Sequence, residues 1–217
     1  MLKPAALFIL FSFALSLHAQ ERPFAITVQA GATFASIDPD WNAFDPKFRT
    51  GFFVGVGMQW PLSEKWSIPV DLRFAQRGFY NITPAAFVLI DGQIGVYKGR
   101  VDYRSICVDL IPQVSFRPVK HLSLAAGPYL SWRNGEAVQY GDVVDWTSTS
   151  KFDLFSDIDF GLSGRVGGHV GRASVFVSYL FGLTEYFNVQ ITDENGQGLG
   201  TLGAKNRAIL VGAGWQF

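Results

Sequence analysis

Aspartate and arginine residues recur in segments whose remaining side chains are largely apolar. In the stretch DLRFAQRGFY, Asp71, Arg73 and Arg77 share one side of an extended chain. Leu72 and Phe74 share the opposite side. Carboxylates and guanidinium groups in near balance can form an ion-pair network, a small-ligand or proton site, or a catalytic pair. The residues that share such polar faces along the chain are Asp71, Arg73, Arg77, Asp109, Arg133, Asp153, Asp157, Asp159 and Arg165.

A catalytic role for these residues lacks a nucleophile beside a base. Acyl hydrolysis needs a serine or cysteine next to a histidine. His18 falls in an N-terminal apolar segment, and His121 and His169 fall in predicted turns. The single cysteine, Cys107, has no histidine near it, and dispersed histidines provide no transition-metal cluster. We therefore expect no enzymatic activity, metal or cofactor, and we interpret the charged residues as a structural network.

Eight segments of alternating polarity position these charged residues. Each segment is close to or above the ~9–11 residues that a tilted strand needs to cross a bilayer. The pattern predicts an all-β chain. The segments are Phe24–Ser36, Thr50–Trp60, Trp66–Phe79, Val101–Phe116, Leu122–Arg133, Phe152–Val166, Ala173–Thr184 and Asn206–Phe217.

Short and long connections alternate strictly between the segments. The connections after segments two, four and six are the short stretches PLSEK, RPVKH and GGHVGR, and the others are long. This alternation is typical of outer-membrane barrels, which have tight periplasmic turns and long extracellular loops. Asp91-Gly92 and Asn195-Gly196 are hairpin signals inside two long loops, so we expect these loops to project as β-ribbons.

The polarity of the two strand faces separates a soluble barrel from a membrane barrel. One face is bulky and apolar, and the other is rich in glycine, serine and threonine with few lysines. A soluble barrel of lipocalin type would bury the apolar face, whereas a membrane barrel turns that face to lipid. We predict an eight-stranded antiparallel up-and-down transmembrane β-barrel, with the soluble barrel as the alternative. Aromatic residues at strand ends that suit an interfacial girdle are Trp60, Trp66, Trp132, Trp215 and Phe217.

The first twenty residues have the pattern of a secretory signal peptide. Lys3 precedes an apolar run from Ala5 to Leu17, which is too short for a comfortable membrane helix. Cleavage is expected after Ala19 or Gln20. The predicted organisation is therefore a signal peptide over residues 1–20 and a barrel over residues 21–217, located in the outer membrane of a Gram-negative cell. A formal net charge of zero argues against a nucleic-acid partner.

Five short motifs occur in order along the chain: LRFAQRGF after Asp71, then DLIPQVSFRP, LAAGPYLS, DIDFGLSGRVG and VSYLFGLT. In order and spacing they resemble successive strands of the PorT-like outer-membrane β-barrel proteins of Bacteroidota. Asp109 lies one place further from Pro112 than in the family pattern. The resemblance implies an integral outer-membrane barrel, and one branch of the family takes part in the type IX secretion and gliding machinery.

The expected function follows from the barrel rather than from a reaction. An eight-stranded barrel is only wide enough for its own side chains, so a charge network would plug the lumen. We expect a monomeric barrel that contacts outer-membrane lipid and binds an unknown protein or envelope partner through long loops. Those loops include Trp41, Tyr140, Trp146 and Tyr186. The alternatives are a small-ligand or transport barrel and a component of the type IX machinery.

Overall fold

The computed structural model describes residues 24–39, 46–90, 93–140, 144–148, 157–192 and 198–217. The predicted signal peptide, Asp153 and Trp41 lie outside these residues. No α-helix among the described residues is long and apolar enough to span a bilayer. The strands are β1 Ala25–Pro39, β2 Lys47–Pro61, β3 Trp66–Ile90, β4 Gln93–Pro112, β5 Val114–Val119, β6 Leu122–Tyr140, β7 Val144–Ser148, β8 Ile158–Val170, β9 Ala173–Thr192 and β10 Gly198–Gln216.

The described strands close into an eight-stranded antiparallel barrel, as predicted. Successive strands pair around the circle, β4 and β5 together forming one barrel strand, and β1 pairs with β10 to close it. The two parts of the β4–β5 strand meet at Gln113, whose backbone N–H donates to the Pro69 carbonyl at 2.9 Å. Ile111, Gln113 and Ser115 all point inward, so the alternation runs through the break without a slip. The short strand β7 pairs with the part of β6 that extends beyond the β6–β8 pairing.

The barrel has two different ends. At the turn end, short connections join β2 to β3, β5 to β6 and β8 to β9, and Gly171 has a φ of 59° in the last of these. At the ribbon end, β3 and β4 stay paired as far as Ile90 and Gln93. Strands β9 and β10 stay paired as far as Thr192 and Gly198. The expected β-ribbons are therefore present as far as these residues, while Asp91-Gly92 and Asn195-Gly196 lie outside the described residues.

Apolar side chains cover the outside of the barrel. Leu72 is 48% exposed and Phe74 is 38% exposed, whereas their strand neighbours Asp71 and Arg73 are buried. Apolar residues face outward and polar residues face inward on all the barrel strands. Such a large exposed apolar surface excludes the alternative of a soluble barrel that buries its apolar face. Residues on this outer face include Val28, Val54, Val56, Leu124, Phe160, Leu162, Val177, Phe181 and Val211.

Aromatic residues mark the two edges of the apolar surface. Trp66, Trp215 and Phe217 are exposed at the turn end. Trp132 is exposed ten positions along β6 from Leu122, which is roughly 33 Å at a rise of ~3.3 Å per residue. A strand tilt of about 40° reduces this to roughly 25 Å, the usual height of the apolar band of an outer-membrane barrel. Among the predicted girdle residues, only Trp60 is half-buried rather than exposed.

Two phenylalanine rings fill the lumen above two glycines. Phe53 of β2, Gly31 of β1, Gly212 of β10 and Phe176 of β9 lie opposite one another in a single row across four strands. A Cβ on Gly31 would lie 2.7 Å from the Phe53 ring, and a Cβ on Gly212 would lie 2.9 Å from the Phe176 ring. The absence of side chains at both glycines therefore lets the two rings meet, with centroids 6.0 Å apart. We call these four residues the ring-on-glycine row.

Candidate functional site

The lumen contains six of the nine charged residues that the sequence singles out. Asp71, Arg73, Arg77, Asp109 and Asp159 each retain at most 3% exposure. Arg165 is half-buried and joins them through Asp71. Because isolated charges are costly to bury, these groups must be paired or hydrogen-bonded. They form two clusters, one toward each end of the barrel.

The turn-side cluster is built around Asp71. Its carboxylate accepts a hydrogen bond from Arg73 Nη2 at 2.9 Å and another from Arg165 Nη2. Arg73 also donates to Gln29 Oε1 at 3.2 Å, and Arg165 Nε donates to Ser178 Oγ at 3.1 Å. Strands β3 and β8 are not neighbours in the sheet, so the Asp71–Arg165 pair bridges the lumen. This cluster holds two guanidinium groups and one carboxylate.

Aromatic rings accompany the excess positive charge of the turn-side cluster. The Arg73 guanidinium lies 5.3 Å from the Phe53 ring centroid and 5.4 Å from that of Phe176. The Arg165 guanidinium lies 4.7 Å from the Phe176 ring centroid. The negative face of an aromatic ring attracts a cation at this range. The two rings of the ring-on-glycine row therefore make cation–π contacts with both guanidinium groups of the cluster.

The ribbon-side cluster is built around Arg77. Its Nη2 donates to Asp109, and its Nη1 lies 3.8 Å from Asp159 Oδ2. Asp159 also accepts hydrogen bonds from the Tyr129 hydroxyl at 2.8 Å and from Asn206 Nδ2 at 3.0 Å. The cluster therefore holds one guanidinium group and two carboxylates, with neutral donors directed at the second carboxylate.

Tyr186 and Cys107 lie above the ribbon-side cluster. Tyr186 is only 1% exposed, and its hydroxyl is in hydrogen-bonding contact with Ser105. The same hydroxyl lies 3.8 Å from Cys107 Sγ. The prediction that Tyr186 belongs to an exposed loop surface is wrong, because β9 continues beyond Thr184 and turns this ring inward. Cys107 is buried, as a structural thiol would be.

Arg133 and Asp157 stand apart from both clusters. They pair with each other at 2.7 Å, and the Asp157 side chain is 84% exposed. The prediction that Asp157 projects into the lumen is therefore wrong. Asp157 precedes the first residue of β8, where its backbone carbonyl accepts a hydrogen bond from the Arg133 N–H at 2.9 Å. The pair joins β6 to the residue that precedes β8 at the ribbon end.

A histidine reaches the lumen at the turn end, contrary to expectation. His169 Nε2 lies 2.8 Å from Ser123 Oγ, and both side chains line a cavity of about 70 Å³. The predicted strand ended at Val166, whereas β8 continues to Val170. Residues 165, 167 and 169 have the same inward parity, so extending the alternation by four residues would have placed His169 inside.

The Ser123–His169 pair is not by itself a catalytic triad. Within the described residues, no carboxylate hydrogen-bonds the second ring nitrogen of His169, although an acidic partner usually orients a catalytic histidine. The described part of the chain also contains no group of three His, Cys, Asp or Glu side chains arranged to hold a metal ion. The described part of the lumen contains two hydrogen-bonded charge clusters and a small cavity at the turn end.

Comparison with known proteins places this architecture in a family. The profile of the outer membrane protein beta-barrel domain matches residues 18–188. Among solved structures, the chain is similar to Ail, the attachment invasion locus protein of Yersinia pestis, with 13% identity, a TM-score of 0.47 and coverage of 90% of this chain and 100% of that one. Neisserial surface protein A shows 12% identity and a TM-score of 0.47, with 89% and 99% of the two chains covered.

OprG from Pseudomonas aeruginosa is also similar in structure, with 12% identity, a TM-score of 0.44 and coverage of 91% of this chain and 97% of that one. No curated protein matches the sequence. The family match extends over most of the chain and agrees with the closed barrel and its apolar outer surface. The chain therefore belongs to the outer membrane protein beta-barrel domain family.

Proposed function

We propose that this outer-membrane barrel is a non-enzymatic interaction protein that binds a protein or envelope partner at its ribbon end. Its lumen is plugged by the two charge clusters. The observation that carries this proposal is the burial of Arg73, Arg77 and Asp109 within the lumen, each at 1% exposure or less. An interior filled in this way leaves the ends of the barrel as the surfaces available for function.

Bonds across the lumen support a closed rather than a conducting barrel. Arg165 of β8 reaches Asp71 of β3, and Asn206 of β10 reaches Asp159 of β8. Arg73 of β3 reaches Gln29 of β1. Opening a water-filled path would break several charge-assisted hydrogen bonds at once. Single-channel recording in planar bilayers should therefore show no stable conductance, and a stepwise conductance at neutral pH would contradict the plug.

The ribbon end offers the larger surface for a partner. Strands β3 and β4 span 25 and 20 residues, well beyond the ~9–11 that cross a bilayer. At the base of this ribbon, Arg100 lies 3.9 Å above the Tyr80 ring and donates to Asp102 at 2.7 Å. Ile82 is 68% exposed next to this base. Strand pairing holds the backbone of the ribbon in one spatial arrangement, which favours specific recognition.

Crosslinking and affinity capture from native outer membranes test the interaction role. The informative variant replaces residues 84–98 by a two-residue hairpin turn, which shortens the ribbon and leaves the barrel strands unchanged. The matched control shortens the β9–β10 ribbon by replacing residues 188–202 in the same way. We expect the native chain to capture a protein or envelope component. We expect one of the two shortened variants to lose this capture while the other keeps it.

Both variants must keep the gel-mobility shift between boiled and unboiled samples that indicates a folded barrel. Equal capture by the native chain and both variants would rule out binding at the ribbons. The PorT-like assignment is the finer part of the proposal. Recovery of type IX secretion components supports it, and recovery of an unrelated partner removes it while leaving the interaction role in place.

A further inference from the structure

The cavity at the turn end is not used by the proposed interaction role. We call it the turn-end cavity; it is lined by residues that include Asp71, Ser115, Arg117, Ser123, Arg165 and His169. Its volume is about 70 Å³. A single water needs about 10–15 Å³ of such space, so the cavity has room for a small molecule of several atoms.

The charged groups that line the turn-end cavity are not balanced. Asp71 is its only lining carboxylate among the described residues, and it already accepts hydrogen bonds from Arg73 and Arg165. Arg117 makes no ion pair with any described carboxylate, and its Nε is buried with no hydrogen-bond partner in that part of the chain. A buried guanidinium N–H is stabilised by an acceptor, and an anion in the cavity that Arg117 lines can supply one.

Neutral hydrogen-bonding groups face the same space. Ser123 Oγ lies 2.8 Å from His169 Nε2 and 3.4 Å from the Gly167 carbonyl. A side chain at position 167 would displace this arrangement, because a Cβ there would lie 2.8 Å from Ser123 Oγ. When His169 Nε2–H donates to Ser123, the serine hydroxyl donates to the Gly167 carbonyl at 3.4 Å, a long contact that an anion in the cavity can replace. The tautomer of His169 therefore sets whether Ser123 donates to the histidine or to an oxygen acceptor.

The turns around the cavity are basic. Lys120 and Arg172 lie in two of the turns, while Glu64 and Lys65 offset each other in the third. Positive charge around a recessed opening raises the local concentration of anions. The positive charge of the turns and the positive charge of the cavity lining therefore both attract anions.

We propose that the turn-end cavity binds a phosphate-sized oxyanion, with Arg117 as the main charge partner and Ser123 and His169 as orienting groups. A guanidinium group can pair with two oxygens of one phosphate, and the Ser123 hydroxyl, oriented by His169, can donate to a third. The phosphate can come from free inorganic phosphate or from an anionic lipid headgroup that enters the mouth. This inference does not depend on what the ribbon end binds.

Titration of the folded full-length barrel with inorganic phosphate tests the site. The protein is held in a zwitterionic detergent without phosphate, and binding is followed by phosphorus NMR line broadening. We expect saturable binding that Arg117→Gln weakens at least about tenfold, because a charge-assisted pair is lost. Arg172→Gln is the matched control, since it removes the same charge from the same end without lining the cavity, and it should change affinity less than about twofold.

Ser123→Ala keeps the charge of the site and should weaken phosphate binding by a smaller factor than Arg117→Gln, which provides a second variant if Arg117→Gln does not fold. Competition by vesicles containing phosphatidylglycerol, but not by purely zwitterionic vesicles, would identify a lipid headgroup as the source. A lack of such competition would identify the free anion. The absence of saturable binding, or equal losses in Arg117→Gln and Arg172→Gln, would overturn the proposal.

Discussion

The two clusters of the lumen bury the same kinds of charged group with opposite balance. The turn-side cluster has two guanidinium groups around Asp71, and the ribbon-side cluster has two carboxylates around Arg77. Across both clusters the three positive and three negative charges cancel. Charge balance is therefore a property of the two clusters taken together, while each cluster carries an excess of one sign.

Each excess is offset by neutral groups of the appropriate kind. Phenylalanine rings and the Gln29 carbonyl oxygen face the cations at the turn side. The hydroxyl of Tyr129 and the amide of Asn206 donate to Asp159 at the ribbon side. A ring face stabilises a buried cation less than a direct hydrogen-bond donor stabilises a buried carboxylate. Each turn-side guanidinium group, however, also contacts the Asp71 carboxylate. We therefore expect the single cation of the ribbon side to be the more critical group.

The largest effect is expected for Arg77→Met. The substitution leaves Asp109 and Asp159 buried without a cation, and breaking a buried pair in this way costs about 3–5 kcal/mol of unfolding free energy. Urea unfolding in lipid vesicles measures the loss. Asp109→Asn is the control and should cost less, because Arg77 retains Asp159 at 3.8 Å. Equal stability of Arg77→Met and the native chain would contradict the ion-pair description of this cluster.

A smaller loss is expected for Arg73→Met in the turn-side cluster. Asp71 keeps its contact with Arg165, so the variant removes the hydrogen bonds from Arg73 to Asp71 and Gln29 without isolating the carboxylate. The expected cost is about 1.5–3 kcal/mol in the same unfolding measurement. If Arg73→Met costs as much as Arg77→Met, the difference between the two clusters is not real.

Tyr129→Phe sharpens the comparison by removing a neutral donor. Asp159 loses the hydroxyl at 2.8 Å but keeps Asn206 at 3.0 Å, so we expect a loss of about 1–2 kcal/mol. Tyr179→Phe is the matched control, because Tyr179 is on the exposed outer face and should change unfolding by less than about 0.5 kcal/mol. Similar losses in the two variants would show that the hydroxyl of Tyr129 does not stabilise Asp159.

The smallest effect is expected for Arg133→Gln at the ribbon end. The Arg133 side chain is 9% exposed, but its partner Asp157 is 84% exposed and largely hydrated, so we expect the pair to contribute only about 0.2–1 kcal/mol. Unfolding measured at low and high salt should show only a small difference between the variant and the native chain, and that difference should shrink at high salt because added ions screen this pair. A loss comparable with that of Arg77→Met would mean that the rim pair belongs energetically to the lumen network.

The orientation of most side chains was predictable because strand geometry has a period of two. Once Leu72 and Phe74 were assigned to lipid, Asp71 and Arg73 had to face the lumen. The partners of these charges were not predictable in the same way. Asp71 and Arg165 are 94 positions apart, and their contact depends on how strand tilt and register place two non-adjacent strands across a narrow barrel.

The ends of the strands were harder to predict than their middles. His169 was assigned to a turn because its segment ends in glycines, yet pairing with β9 extends β8 to Val170. Asp157 was assigned to a strand by its alternation with Ile158, yet the described strand begins only at Ile158. At these positions the pairing of the backbone decides the structure, and the hydrophobic pattern provides little information.

The ring-on-glycine row has a consequence for how the barrel closes. Strands β1 and β10 are the first and last of the chain, and Gly31 lies opposite Gly212 where they join. A one-residue slip at this seam would turn every side chain of β10 to the wrong face. A two-residue slip in one direction would place Leu210 beneath the Phe53 ring, where only a glycine fits. The row therefore selects the register of the seam: it sterically disfavours the slip that brings Leu210 beneath the Phe53 ring.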